Sequence, residues 1–446
     1  MGFFWRGITL LILILALGTS CTSTKRVGKA RAKLWEQQID RSEVFGRYFM
    51  GFSLMDATSG KILHEYAADR YFTPASNVKI LTLYTCLRLL PDSIPALRYE
   101  IRGDSLLFWG TGDPSPLYPP LGNDRGTLDF LRNQDRQLFF CPYNFQDEVL
   151  GAGWSWDDYP YYFQPEKSAL PLYGNLVHLE KAAAEPYQVV PRYFSNQLVP
   201  QSPDDYRPAR LRRRRDCNVF EYPTPLPQGP QAGVDIPFRY SDSLLLALLS
   251  DTLHRPVALY PRRIQPSRKS RTRYGQSLRT AYRLMMQESD NFISEQLLLT
   301  CAGQVFDTLN TRKIIDYARQ ELLADLPDPV RWVDGSGLSR YNLLTPRSVR
   351  QVLYELYQLV DWELLTDLFP AGGQSGTIVD WYGGGAEPYV YAKTGTLSGV
   401  HCLSGYLVAQ SGKVLIFSFM HNNYVNGSRE LKEEMEKVLR NLYLTY

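Results

Sequence analysis

Histidine is scarce, five in 446 residues, and the six cysteines include no CxxC pair. With the histidines scattered as well, no zinc site is visible, and no metal or other cofactor is expected. Strong charge of either sign is absent too. A formal net charge of +3 argues against a nucleic-acid partner, and no nucleic-acid-binding motif accompanies it. No G-x-S-x-G elbow occurs, which disfavours an α/β-hydrolase. The glycine-rich stretches Ala371–Gly376 and Gly383–Gly385 lack a following Lys-Ser/Thr pair, so neither reads as a phosphate loop. No internal repeat is evident. The apolar run Ile8–Leu17 is too short to cross a bilayer. Behind Arg6 it suits the apolar segment of a secretory signal. What remains is a chain with 44% hydrophobic and 21% charged residues, the composition of a globular protein large enough for two or three domains.

The chain is organised around Thr73–Leu90, TPASNVKILTLYTCLRLL. Thr73 reads as an N-cap and Pro74 as the first helical residue, which puts Ser76 and Lys79 in the opening turn of an apolar helix. Residues three apart share a helix face, so the Lys79 amine can reach the Ser76 hydroxyl. A serine needs an adjacent base to act as a nucleophile, and lysine becomes one where burial lowers its pKa. Ser289-Asp290-Asn291 lies in a second apolar segment, Leu278–Leu299, expected to be helical throughout. Lys393-Thr394-Gly395-Thr396 lies in YVYAKTGTLSGV, expected to be a strand.

Ser-x-x-Lys, Ser-Asp-Asn and Lys-Thr-Gly in this order form the signature of penicillin-binding proteins and class A β-lactamases. The sequence resembles the low-molecular-mass class C penicillin-binding proteins, the D-alanyl-D-alanine carboxypeptidase and endopeptidase family. Gly110–Pro114 (GTGDP), Tyr161–Asn175, Asp334–Arg340 (DGSGLSR) and Gly372–Thr377 carry the resemblance outside the three motifs. It implies an α+β fold: a β-lactamase-like transpeptidase core, an antiparallel sheet flanked by helices, with mostly β inserted domains. It also implies roles. Ser76 would be the acylated nucleophile and Lys79 its base, Ser289 would relay a proton to the leaving D-alanine, and Asn291 would bond the substrate amide. Lys393 would attract the terminal carboxylate and help keep Lys79 neutral, with Thr394, Gly395 and Thr396 around the same carboxylate. The backbone amides of Ser76 and Thr396 would form the oxyanion hole. Peptidoglycan stem peptides and β-lactam antibiotics are the partners implied. A β-lactamase or esterase on the same scaffold, or a non-catalytic cell-wall binding protein, are the alternatives.

Along the chain, Leu17-Gly18-Thr19-Ser20-Cys21 resembles a bacterial lipoprotein signal, although Gly18 stands where a leucine is usual. It implies lipidation at Cys21, attachment to a membrane through that lipid and a periplasmic location. The other five cysteines are expected as buried thiols. Residues 22–45 read as a tether turning helical near Ala30–Arg41, and Tyr48–Met55 with Lys61–Tyr66 as a hairpin around Asp56–Gly60. Between Lys79 and Ser289 lie 209 residues, far more than a connection needs. Residues 91–265, rich in Pro, Tyr and Arg, are therefore expected as inserted β domains, with 22–90 and 266–446 as the peptidase core. The run Arg212–Arg215, with Arg207 and Arg210, reads as a solvated loop. Arg331–Val333 reads as a strand, Thr345–Leu359 as a capped helix, and the last part as three strands and a helix over Arg429–Leu442.

Overall fold

The computed structural model describes residues 35–181, 187–202, 210–224 and 233–446. The expected signal and Cys21 lie outside them, as does Arg207. The chain divides into two compact units: one takes the described residues up to Phe72 together with Thr345–Tyr446, and the other is Thr73–Leu344.

The first unit is built on a five-stranded sheet, in the order Val390–Leu397, Val400–Val408, Val414–Asn422, Phe49–Asp56, Ile62–Tyr66. Every neighbouring pair is antiparallel. The hairpin expected at Asp56–Gly60 forms because Asp56 Oδ1 accepts the amides of Thr58 and Ser59, both at 3.0 Å, a turn that aspartate favours. Both faces are covered, so the strands are buried almost continuously rather than on alternate residues. On one face Phe52, Leu54, Leu403, Leu407, Phe417 and Phe419 pack with the terminal helix Arg429–Thr445 and the segment from Trp35 to Phe45. That helix offers Leu431, Met435, Val438, Leu439 and Leu442, one apolar stripe at helical spacing. The opposite face mixes the small residues Gly51, Ser53, Ser404 and Ser418 with Met55, Tyr406, Ile416 and Met420, and helix Pro346–Leu359 lies on it. Tyr406 donates its hydroxyl to the Leu353 carbonyl at 2.8 Å, and the Ser404 and Ser418 hydroxyls meet at 2.9 Å. Gly51 has no room to be anything else, since a Cβ there would stand 2.6 Å from Phe72 and 2.7 Å from Pro346.

The second unit joins a helical part to three sheets. Val257–Leu259, Gln137–Phe140, Ser105–Gly110, Ser93–Arg102 and Arg271–Ser277 form a mixed five-stranded sheet, and two three-stranded sheets follow from Leu176 to Pro237. Helix Val78–Leu89 packs on helix Asn291–Phe306, with Cys86 and Cys301 Sγ atoms 3.6 Å apart. Burial of the latter helix extends to its polar side chains, which must then find partners. Gln296 does so by donating to the carbonyls of Gly112 and Ser168 at 3.0 and 2.9 Å, and by accepting from the Ser168 amide.

Five local expectations are corrected. Cys217, expected as a buried thiol, is exposed, while Cys86, Cys141, Cys301 and Cys402 are buried. The Ser76 turn does not start as an α-helix capped by Thr73: a single 3₁₀ turn, Ala75–Asn77, precedes helix Val78–Leu89, and Ala75 takes a left-handed φ of +48°. The segment Leu278–Leu299 is two helices, Leu278–Gln287 and Asn291–Phe306, because Ser289 at φ +61° breaks it and Asp290 caps the second. Arg331 pairs with Leu343 in an isolated bridge rather than a strand. The arginine run is only half solvated. Arg212 and Arg213 are buried, the first against Glu221 at 2.9 Å and the second donating to the Pro237 carbonyl at 2.7 Å, while Arg214 and Arg215 stay exposed.

Candidate active site

The turn that carries Ser76 owes its shape to a close approach. Gly337, at φ +86°, lies so near the Ala75 carbonyl that a Cβ would come within 2.0 Å of its oxygen. Only glycine permits this, and the approach sets the loop Asp334–Arg340 against the turn that carries Ser76. The loop is itself pinned through Asp334. Its two oxygens accept the amides of Gly337 and Ser339, the Asn342 side chain at 2.7 Å and the Trp154 indole at 2.8 Å.

Lys79 is wholly buried, and its amine meets three oxygens: Ser76 Oγ at 3.1 Å, Asn291 Oδ1 at 2.6 Å and the Ser336 carbonyl at 2.7 Å. Asn291 Oδ1 and a carbonyl can only accept, whereas a hydroxyl can also donate. A neutral amine therefore spends two N–H bonds on Asn291 and Ser336 and turns its lone pair to the Ser76 proton. Burial pushes Lys79 down from 10.5 to about 8, against the upward pull of the Asp334, Glu295 and Asp290 carboxylates. Desolvation wins, and the amine is partly neutral near neutral pH. Glu295, buried beside the Asp334 charge, is raised to about 7, and its Oε1 accepts the Ser336 amide at 2.7 Å.

The second motif is placed by the helix break. Asp290 Oδ1 accepts the Ile293 amide at 2.8 Å, and Oδ2 accepts the Tyr118 hydroxyl at 2.6 Å. Capping in this way turns Asn291 inward, where its amide nitrogen donates to the Phe163 carbonyl at 2.9 Å while its oxygen holds Lys79. Ser289, Asp290 and Asn291 line a cavity of about 700 Å³ with Tyr118, Tyr162 and Phe163. Lys79 reaches Ser76 and Asn291 directly, not Ser289. The third motif belongs to the other unit, on strand Val390–Leu397, where Lys393 is buried and donates to the Thr394 carbonyl at 3.0 Å. Thr394 donates to the Thr377 hydroxyl at 2.7 Å, and Thr396 Oγ1 lies 3.2 Å from His401 Nδ1.

Residues 271–442, which hold the second and third motifs, match the D-Ala-D-Ala carboxypeptidase 3 (S13) family. Similarity reaches the first motif as well, for the D-alanyl-D-alanine carboxypeptidase DacB of Haemophilus influenzae is 24% identical over 435 residues, covering 88% of this chain and 90% of that protein. Together the two matches make the chain similar to the S13 family along most of its length. A carboxypeptidase DacB of Mycolicibacterium smegmatis is 32% identical over 171 residues, 35% of this chain and 36% of its own. Penicillin binding protein 4 of Haemophilus influenzae shares the fold, with a TM-score of 0.72 at 23% identity over 91% of this chain and 98% of its own. A second structure of that protein, complexed with a β-lactam, gives 0.63 at 20% identity over 92% and 98%. The α+β architecture expected of a class C penicillin-binding protein is thus the one observed.

Sequence reasoning singled out Ser76, Lys79 and Asn291, whose side chains lie in contact. It missed the Ser336 carbonyl, Asp334, Glu295 and Tyr118 as parts of the same arrangement. Asp334-Gly-Ser-Gly was the available signal. An aspartate before two closely spaced glycines marks a loop whose backbone, not its side chains, is presented.

Proposed function

We propose that this enzyme removes the terminal D-alanine of peptidoglycan stem peptides through an acyl-serine at Ser76. The arrangement of the Lys79 amine, with two fixed acceptors and one hydroxyl, carries that reading. Ser76 Oγ attacks the penultimate D-alanine carbonyl as Lys79 takes its proton. The tetrahedral intermediate collapses with loss of D-alanine, whose nitrogen receives a proton by way of Ser289. Water then attacks the ester, giving the shortened peptide and Ser76 again. Asn291 is proposed to bond the substrate amide as well as hold Lys79. Lys393, Thr394, Gly395 and Thr396 are proposed as the carboxylate contacts, and the Ser76 and Thr396 amides as the oxyanion hole; the motif supports these roles. A β-lactam would acylate the same serine. DD-endopeptidase action would use the same acyl-enzyme with a second stem peptide as the leaving amine. Residues 91–265 are proposed as the insertion that separates the first two motifs.

Ser76→Ala should abolish covalent labelling by fluorescent penicillin and leave the melting temperature within a few degrees of wild type. A labelled Ser76→Ala protein would remove Ser76 from the mechanism. Attachment to a membrane through Cys21 at the periplasmic side is proposed from the Ile8–Cys21 pattern. Mass spectrometry of the mature N-terminus should find a lipid-modified Cys21, and an unmodified start there or beyond it refutes the anchor.

A further inference from the structure

Thr396 closes the third motif with an exposed side chain, while His401, its partner across the hairpin, is buried at 1% exposure. Only 3.2 Å separates Thr396 Oγ1 from His401 Nδ1. The other ring nitrogen, Nε2, has no partner among the described residues. Burial, then the Lys432 charge, pushes His401 down to about 3, so the ring is neutral and carries one proton.

That proton has two possible seats. On Nε2 it would be a buried N–H with no acceptor, an arrangement rarer in proteins than an unused lone pair. On Nδ1 it is donated to Thr396. The threonine hydroxyl then receives a hydrogen bond from inside and has its own proton left for an acceptor outside. The reverse polarity would leave Thr396 able only to accept, which repels an anion.

We propose that His401 is a positioning residue that holds the Thr396 hydroxyl as a donor toward the substrate's terminal carboxylate. The inference rests on the proposed reading of Thr396 as a carboxylate contact. It extends that reading to a residue outside the motif that touches no substrate itself.

The test compares a D-Ala-D-Ala peptide with the matching ester that lacks the terminal carboxylate. His401→Leu should lower kcat/KM on the peptide roughly tenfold, mainly through KM, and leave the ester within about twofold, since a hydrogen bond to a charged group is worth about that factor. His401→Asn, whose amide nitrogen can stand near the Nδ1 position, should recover most of the loss. In a Thr396→Val background His401→Leu should add nothing. Equal losses on both substrates, or a further tenfold loss in that background, would overturn the proposal. A measurement on the wild-type protein needs no variant to fold: ¹⁵N shifts of the His401 imidazole should show a protonated Nδ1 and a bare Nε2, and the opposite tautomer overturns it too. A wild-type enzyme that turned over neither substrate would instead refute the proposed function, with the tautomer still readable.

Discussion

Acylation of Ser76 should depend on pH through Lys79, and the structure sets where. Burial outweighs three carboxylates and brings the amine from 10.5 to about 8, a bias of about 3 kcal/mol against the protonated form. At pH 7 about one Lys79 in ten is then neutral, against about one in 3,000 for a solvated lysine, so burial enlarges the reactive population roughly 300-fold. The second-order rate of acylation by a fluorescent penicillin should rise about tenfold per pH unit below pH 8 and level off above it. Glu295→Gln sharpens the test. A glutamine oxygen can still accept the Ser336 amide, but the charge that favours protonated Lys79 is gone, so the limb should move to lower pH. Glu295 is raised to about 7, so its charge is present at the wild-type midpoint near pH 8 and is lost toward pH 6, and the displacement is read at that midpoint. A profile flat from pH 6 to 9, or a Glu295→Gln limb displaced to higher pH, would refute Lys79 as the base in this electrostatic setting.

Gly337→Ala should be among the most damaging small substitutions in the chain, since the added Cβ meets the Ala75 oxygen at 2.0 Å and φ is +86°. A cost of about 2–4 kcal/mol, seen in a denaturant melt, should accompany loss of penicillin labelling; unchanged stability would mean the loop does not pack on the Ser76 turn as described. Alkylation of the native protein should modify Cys217 and spare Cys86, Cys141, Cys301 and Cys402, because Cys217 alone of these is exposed and burial raises Cys141 and Cys402 to about 12. Peptide mapping after brief iodoacetamide treatment checks this, and a modified Cys301 without denaturant would contradict its burial.

Much of the fold was legible because it follows local rules. Thr345-Pro346 gives the cap and first residue of helix Pro346–Leu359. The terminal strands were equally plain. The misreadings share one cause, tertiary contacts that overrule local preference. Thr73-Pro74 reads as a helix start, but the loop at Gly337 draws the Ala75 carbonyl into a left-handed residue and defers the helix by a turn. Apolar spacing runs through Ser289 without a break; what stops the helix is Asp290, held by Tyr118 from 172 positions away. Arginines in a row suggest solvent until Glu221 pairs with Arg212 and Arg214, and that pairing cannot be inferred from spacing alone.

The same reasoning explains why the serine and lysine proposed as nucleophile and base are not sufficient by themselves. On a bare helix a lysine three residues from a serine would be solvated, protonated and a donor only. Here the apolar surroundings of helix Val78–Leu89 remove the solvent, which favours the neutral amine but does not aim it. Aim comes from acceptors that cannot donate. Asn291 Oδ1 is one, fixed because its amide nitrogen is held by the Phe163 carbonyl; the Ser336 carbonyl is the other, fixed because Asp334 and Glu295 take up the amides around it. With both N–H bonds so directed, the remaining lobe of the amine can face only Ser76. In the proposed mechanism the loop Asp334–Arg340 therefore contributes no side chain to the reaction and yet aims the lone pair of a neutral Lys79 at Ser76.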